Sequence, residues 1–319
     1  MTFIRTVLGD IEPGDLGPTH AHEHLVIDGG RVVELNPDFL LDDVDKAVAE
    51  LEPARALGLA AIIDATPCGF GRNPLKLAEA SRRSGVHVVA GTGLHLAQWY
   101  DPGGWTEHET VEQVAARFEA DISDGIDAHD YARDVVERTE YRAGVIKIAG
   151  SAELTDRERR VFEAAAIANE RTGCPILTHC TDGLGAIEQI ALLGQLGVRT
   201  SHVTLSHTDK VVDRGYHREI LASGASVEYD QCFRWKPGVD NGTLTLLAWM
   251  IEDGFDDEVM LGMDAARQGY WTTYGGTPGW TFLLGEFAEQ MQLRGISAEL
   301  QRAIFVTNPA RAFAFAELP

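Results

Sequence analysis

Short apolar runs recur along the chain: AAIIDAT at 60–66, VHVVAGTG at 86–93, GVIKIAG at 144–150 and PILTHC at 175–180. They continue with HVTLSHT at 202–208, ASVEYD at 225–230 and EVMLGMD at 258–264. All are too apolar for strands with one wet face, so they predict strands covered on both sides. With the opening stretch GPTHAHEHL at 17–25 they make eight. Between them the spacing turns helical. Val44, Ala47, Val48, Leu51, Ala54 and Leu57 recur every three or four residues over 42–58, closed by Gly58. Another helix starts at Thr155, where TDRE forms a capping box joining Thr155 to Glu158. Further helices are predicted near 73–84, 108–122, 183–196, 214–224 and 241–253.

Strand and helix thus alternate about eight times, the pattern of a parallel α/β fold. No Pro/Gly/Ser linker or shift of composition divides the chain, so residues 1–319 are expected to form one domain, a (β/α)8 TIM barrel. Turn signals at LGD and EPGD within residues 1–18 predict a short N-terminal hairpin ahead of the first barrel strand. Two connections are long, 94–107 and AARQGYWTTYGGTPGW at 265–280. Both follow strand C-terminal ends, the face on which such barrels carry active sites.

Charge narrows the partners. The 319 residues hold 27 basic against 49 acidic side chains, a net charge of -22. Such a surface is repelled by phosphate backbones and anionic lipid, which argues against nucleic acid and membrane partners. No apolar run approaches the roughly 20 residues that span a bilayer, and MTFIRTVLGD lacks a secretory pattern. The expected location is the cytoplasm. Cys68, Cys174, Cys180 and Cys232 are too few and scattered for a disulfide framework and are expected to be buried thiols.

The chemistry gathers at strand ends. His20, His22 and His24 alternate along the first strand, an arrangement that puts three imidazoles on one face and suits a metal clamp. Lys147, His179, His207 and Asp264 stand at the ends of later strands, and the rim of a barrel brings such side chains to one axis. Lys147 lies in a run apolar on both sides, so desolvation and nearby positive charge favour its neutral amine. A neutral amine adds carbon dioxide, and the resulting carbamate has two oxygens able to bridge two cations.

THAHEHL, GVIKIAG, ILTHC, LSHTD and LGMD, in this order and spacing, resemble the phosphotriesterase family of the amidohydrolase superfamily. The resemblance runs from TVLGDIEPGDLG to FVTNPARAFAF. It implies a binuclear centre in which His22, His24 and Asp264 bind the more buried metal, His179 and His207 bind the more exposed one, and carboxylated Lys147 bridges them together with a hydroxide. His20 matches a position that is usually not a ligand and is expected to be a core hydrogen-bonder. Zinc is the first choice of metal, with manganese, cobalt and iron as alternatives. Attack by the bridging hydroxide on an ester carbonyl follows, with Asp264 as general base and then acid. A homodimer is the assembly the resemblance suggests.

Phosphotriester-cleaving members carry an acid three residues after the strand 6 histidine; here that position is Lys210. Arg267 follows Asp264 by three, and EYDQCFRWKPG adds Arg234 and Lys236. These four cations are expected to form a local anion pocket. This resembles the lactonase branch acting on phosphorylated sugar lactones. His95 and Tyr100 are further candidates for substrate contact, and Trp99, Tyr270, Trp271 and Tyr274 for the pocket wall. The expected activity is opening of a small sugar lactone, plain or phosphorylated. The alternatives are an acyl-homoserine lactonase, a phosphotriesterase or aryl-esterase, and a metal-retaining binding protein without turnover.

Overall fold

The computed structural model describes residues 2–238 and 240–317. A hairpin comes first, β1 (Ile4–Thr6) paired antiparallel with β2 (Gly9–Ile11). Eight parallel strands follow: β3 (Thr19–Glu23), β4 (Ala61–Asp64), β5 (His87–Thr92), β6 (Val145–Gly150), β7 (Ile176–Cys180), β8 (Val203–Ser206), β9 (Ser226–Tyr229) and β10 (Val259–Leu261). Each pairs with its neighbours in sequence order. Just past β10 the ring closes, where Met263 and Asp264 donate their N–H groups to the His22 carbonyl at 3.3 and 2.9 Å. This is the expected α/β barrel with its N-terminal hairpin. No helix among the described residues is long and apolar enough to cross a membrane.

The helices start where local chemistry stops alternative paths. Asp43 accepts from the Asp45 and Lys46 N–H groups to cap Val44–Ala56, and Asn73 does the same for Pro74–Ser84, whose first position is a proline. Thr155 and Glu158 form the predicted capping box at the head of Asp156–Thr172. Val111–Ser123, Ala186–Gln195, Arg214–Ala222 and Gly242–Glu252 fall within a few residues of expectation. The stretch 124–144 does not. It is a connection longer than either predicted loop, pinned by a bridge between Asp127 and Arg138.

Alternation along the strands builds two layers. Ala21, Ile63, Val89, Val145, Leu177 and Met260 share one apolar cluster, joined by Ile4, Leu16 and Phe313. Their neighbours Ile62, Val88, Ile146 and Ile176 pack in a second cluster with the helix residues Leu51, Leu77 and Phe162. Side chains two residues beyond the inner set therefore point into the barrel one layer higher. Lys147 and His179 occupy such positions. Strand β3 departs from strict alternation: its pairing with β4 shifts register between His20 and Glu23. This irregularity corrects the expectation that His20, His22 and His24 share one face. His20 turns instead to Glu23, Nδ1 to Oε1 at 2.9 Å, and its ring lies 6.1 Å from Trp280.

Candidate metal centre

His22 and His24 leave β3 with their outer nitrogens occupied. His22 Nδ1 lies 3.0 Å from Glu228 Oε2 and His24 Nδ1 2.9 Å from Thr66 Oγ1. Donation from Nδ1–H to these oxygens leaves each Nε2 with a free lone pair. Both lone pairs face Asp264, whose Oδ1 is 3.4 Å from His24 Nε2 and 3.8 Å from His22 Nε2. The ligand atoms of this trio all lie within 4.8 Å of one another, as do those of His22, His207 and Asp230. Nitrogen and oxygen donors so disposed fit divalent cations, and their outer hydrogen bonds fix the tautomer a ligand needs.

The remaining donors converge on the same point. Lys147 Nζ is 3.3 Å from His22 Nε2. The His179 and His207 rings meet at 4.4 Å, and those of His22 and His207 at 5.0 Å. His207 Nδ1 stands 2.6 Å from Asp230 Oδ2. All six residues singled out from the sequence are thus in one place. The second compact trio holds Asp230 beside His207, where the resemblance had put His179.

Burial sets the electrostatics. Desolvation lowers the Lys147 amine to about 8, although Asp264, Glu228 and Asp230 pull the other way. Burial, then the Lys147 charge, holds His22 well below the usual imidazole range; burial and His207 do the same for His179. Asp264 is opposed by its own desolvation, but His24, His22 and Arg234 hold its carboxyl well below the ordinary value. Glu228 is raised by burial and by the neighbouring Asp230 charge. These are imidazoles ready to ligate, an ionised aspartate and a lysine that gives up its proton more readily than one in water.

Two of the donors sit in backbone conformations that L-residues avoid. His207 has φ 66° and Asp264 φ 48°. Left-handed backbone at a non-glycine residue costs about 1–3 kcal/mol and clusters at functional sites. Here the turn comes directly after β8 and close behind β10, swinging each side chain back over the barrel.

Above the donors lies a cavity of about 350 Å³. One side is aromatic: Phe39, Phe70, Trp99 and His95, with the His95 ring stacked on Phe70 at 5.4 Å and edge-on to His179 at 4.8 Å. The Leu96 N–H donates to His95 Nδ1 at 2.8 Å. Lys210, Arg234, Arg267 and Tyr270 line the other side. Lys210 is exposed, and the Arg267 guanidinium lies 4.4 Å from the Phe39 ring centre. Arg234 is engaged with backbone, donating to the carbonyls of Asp230, Met263 and Asp264 at 2.6, 2.9 and 2.8 Å.

Two expected substrate contacts lie elsewhere. Lys236 is exposed and does not line this cavity. Tyr100 is buried behind it, where its hydroxyl accepts the His95 N–H at 2.7 Å and its ring borders a separate cavity of about 520 Å³. Trp271 is buried too, its Nε1–H donating to the Ala265 carbonyl. Glu23, Glu228 and Asp230 were missed as supporting residues. A signal for the last two was present: Glu228, in β9, and Asp230, just past its end, stand two residues apart and so share one face.

The family model described as the phosphotriesterase family matches residues 2–313. A phospho-furanose lactonase of Mycoplasmopsis synoviae (strain 53) is 32% identical over 326 residues, covering 99% of this chain and 92% of that protein. Among solved structures, a lactonase from Listeria monocytogenes superposes with TM-score 0.90 at 27% identity, covering 99% of this chain and 100% of that one. The phosphotriesterase homology protein from Escherichia coli, complexed with phosphate in its active site, gives TM-score 0.85 at 30% identity, covering 94% and 99%.

Proposed function

The chain belongs to the phosphotriesterase family, and from that premise we propose that it is a metal-dependent lactonase opening a small sugar lactone, with phosphorylated ones preferred. The observation that carries this reading is the convergence of His22, His24, Lys147, His179, His207 and Asp264 beneath a cavity whose wall holds Lys210 and Arg267.

His22, His24 and Asp264 would hold one divalent cation, and His179 and His207 the other, with zinc as first choice and manganese, cobalt or iron as alternatives. Lys147 would join them once its neutral Nζ adds carbon dioxide and releases one proton, becoming a carbamate. Bound there, two divalent cations supply a nucleophile near neutral pH and polarise the carbonyl of the ester. Asp264 is ionised at the outset, so its carboxylate can take up a proton and return it to the ring oxygen as the C–O bond breaks. Lys210 and Arg267 would hold an anionic substituent at the far end, and Phe70 and Trp99 would cover the ring. The phospho-sugar name of the Mycoplasmopsis relative and the phosphate in the Escherichia coli one support the anionic arm. Four free, buried cysteines fit a reducing compartment, and on that ground the protein belongs in the cytosol.

The aromatic wall also favours a second reading, an acyl lactone or aryl ester whose apolar tail packs on Phe39, Phe70 and Trp99. A pH-indicator assay of the metal-loaded protein separates them. Phosphorylated sugar lactones should give the highest kcat/KM, then plain sugar lactones, with aryl phosphotriesters far behind. A long-chain acyl lactone that outruns both sugar lactones overturns the preference. No turnover at all with metals bound leaves the binding-protein alternative.

A further inference from the structure

Asp264 lies where the barrel closes without a full strand pair, and every backbone polar group around it is spoken for. The Asp264 N–H donates to the His22 carbonyl at 2.9 Å. On either side, Met263 and Ala265 donate their N–H groups to Oε1 and Oε2 of Glu23, each at 3.1 Å. The Met263 and Asp264 carbonyls accept from Nη1 and Nη2 of Arg234 at 2.9 and 2.8 Å, and the Ala265 carbonyl accepts from Trp271 Nε1 at 2.7 Å. Each backbone N–H and C=O of residues 263–265 thus has a partner that holds it in place.

We infer that Glu23 and Arg234 are positioning residues that hold Asp264 in its left-handed turn from opposite sides of the barrel seam. The chemistry of each suits that task. Glu23 is fully buried and meets three donors, the two N–H groups and His20 Nδ1. A carboxylate offers acceptors at both oxygens, whereas glutamine would turn an NH₂ group towards one of the N–H donors. Arg234 presents a planar fork to two successive carbonyls, which an ammonium cannot copy. Its remaining approach to Asp264 Oδ2, at 3.4 Å, steadies the carboxylate itself. Arg234 also lines the cavity, where the sequence predicts that it grips a substrate anion; the two roles predict different kinetics.

The inference rests on the metal reading above, so wild-type protein is the control: if it neither holds metal nor hydrolyses any ester, that reading fails and takes this one with it. With an active wild type, Glu23→Gln and Arg234→Met are compared by metal content per chain and by kcat and KM on plain and phosphorylated lactones. Positioning predicts a loss of about 10–100-fold in metal affinity or kcat for both variants, as for other residues that orient ligands. It also predicts the same ratio of KM for phosphorylated over plain lactone as in wild type. Wild-type metal content and kcat in Glu23→Gln overturn the inference. So does an Arg234→Met variant whose only change is a raised KM for the phosphorylated substrate, the mark of an anion contact. Should Glu23→Gln fail to fold, half-buried Arg234→Met decides on the same readouts.

Discussion

Lys147 differs from the chain's other lysines because water cannot reach it. The residue is 1% exposed, and burial brings the amine from 10.5 to about 8. Between these two values the unfolded chain binds a proton that the folded one rejects. Stability from this group therefore rises as pH climbs from about 8 towards 10.5, and the penalty is fully present below 8. In chelated, carbon-dioxide-free buffer, the unfolding free energy of wild type relative to Lys147→Met should increase across that window by up to about 3 kcal/mol. Urea unfolding at several pH values measures it, and a difference that stays flat places the amine in contact with solvent. The six donors were legible because each is a polar residue within or at the end of an apolar run, and the inner face of a barrel leaves such side chains one destination. Their supports were harder to read: the alternation of Glu228 and Asp230 marks a shared face, but His22 and Glu228 meet across 206 positions of sequence and no local pattern names such a pairing.

Periodicity exposes elements well when burial is one-sided or complete, and here it gave every barrel strand and most helices. It fails where a single residue breaks the count. The register shift in β3 sends His20 away from His22, and alternation alone cannot foresee it. The connection 124–144 escaped for a related reason: its order comes from side chains such as Arg138, which reaches Asp121, rather than from spacing. The seam between β10 and β3 depends on close backbone approach. A Cβ on Gly262 would come within 2.6 Å of Glu228 Oε1 and 2.7 Å of the His22 nitrogen. Backbone cannot yield as a flexible side chain does, so Gly262→Ala should wedge the strands apart. We expect a loss of about 1–3 kcal/mol or more in urea unfolding, together with reduced metal content. Wild-type stability would show that the seam has slack which the packing does not reveal.

A net charge of -22 and a cavity rimmed by Lys210 and Arg267 pull an anionic lactone in opposite directions. Distance decides which one the substrate feels. At about 0.01 M salt the screening length is about 30 Å, so the acidic surface as a whole repels the approaching anion. Near 0.15 M it shrinks to about 8 Å, and only charges lining the cavity still count. Raising salt over this range should therefore increase kcat/KM for a phosphorylated lactone, against the usual fall for an anion binding a basic site. Further salt should then reduce it as the close contacts are screened as well. An uncharged sugar lactone, measured alongside, should stay level throughout. A phosphorylated substrate whose kcat/KM falls from the lowest salt onward would mean that local cations already dominate at long range. Neither the acidic surface nor the sequence-wide charge count would then govern substrate capture.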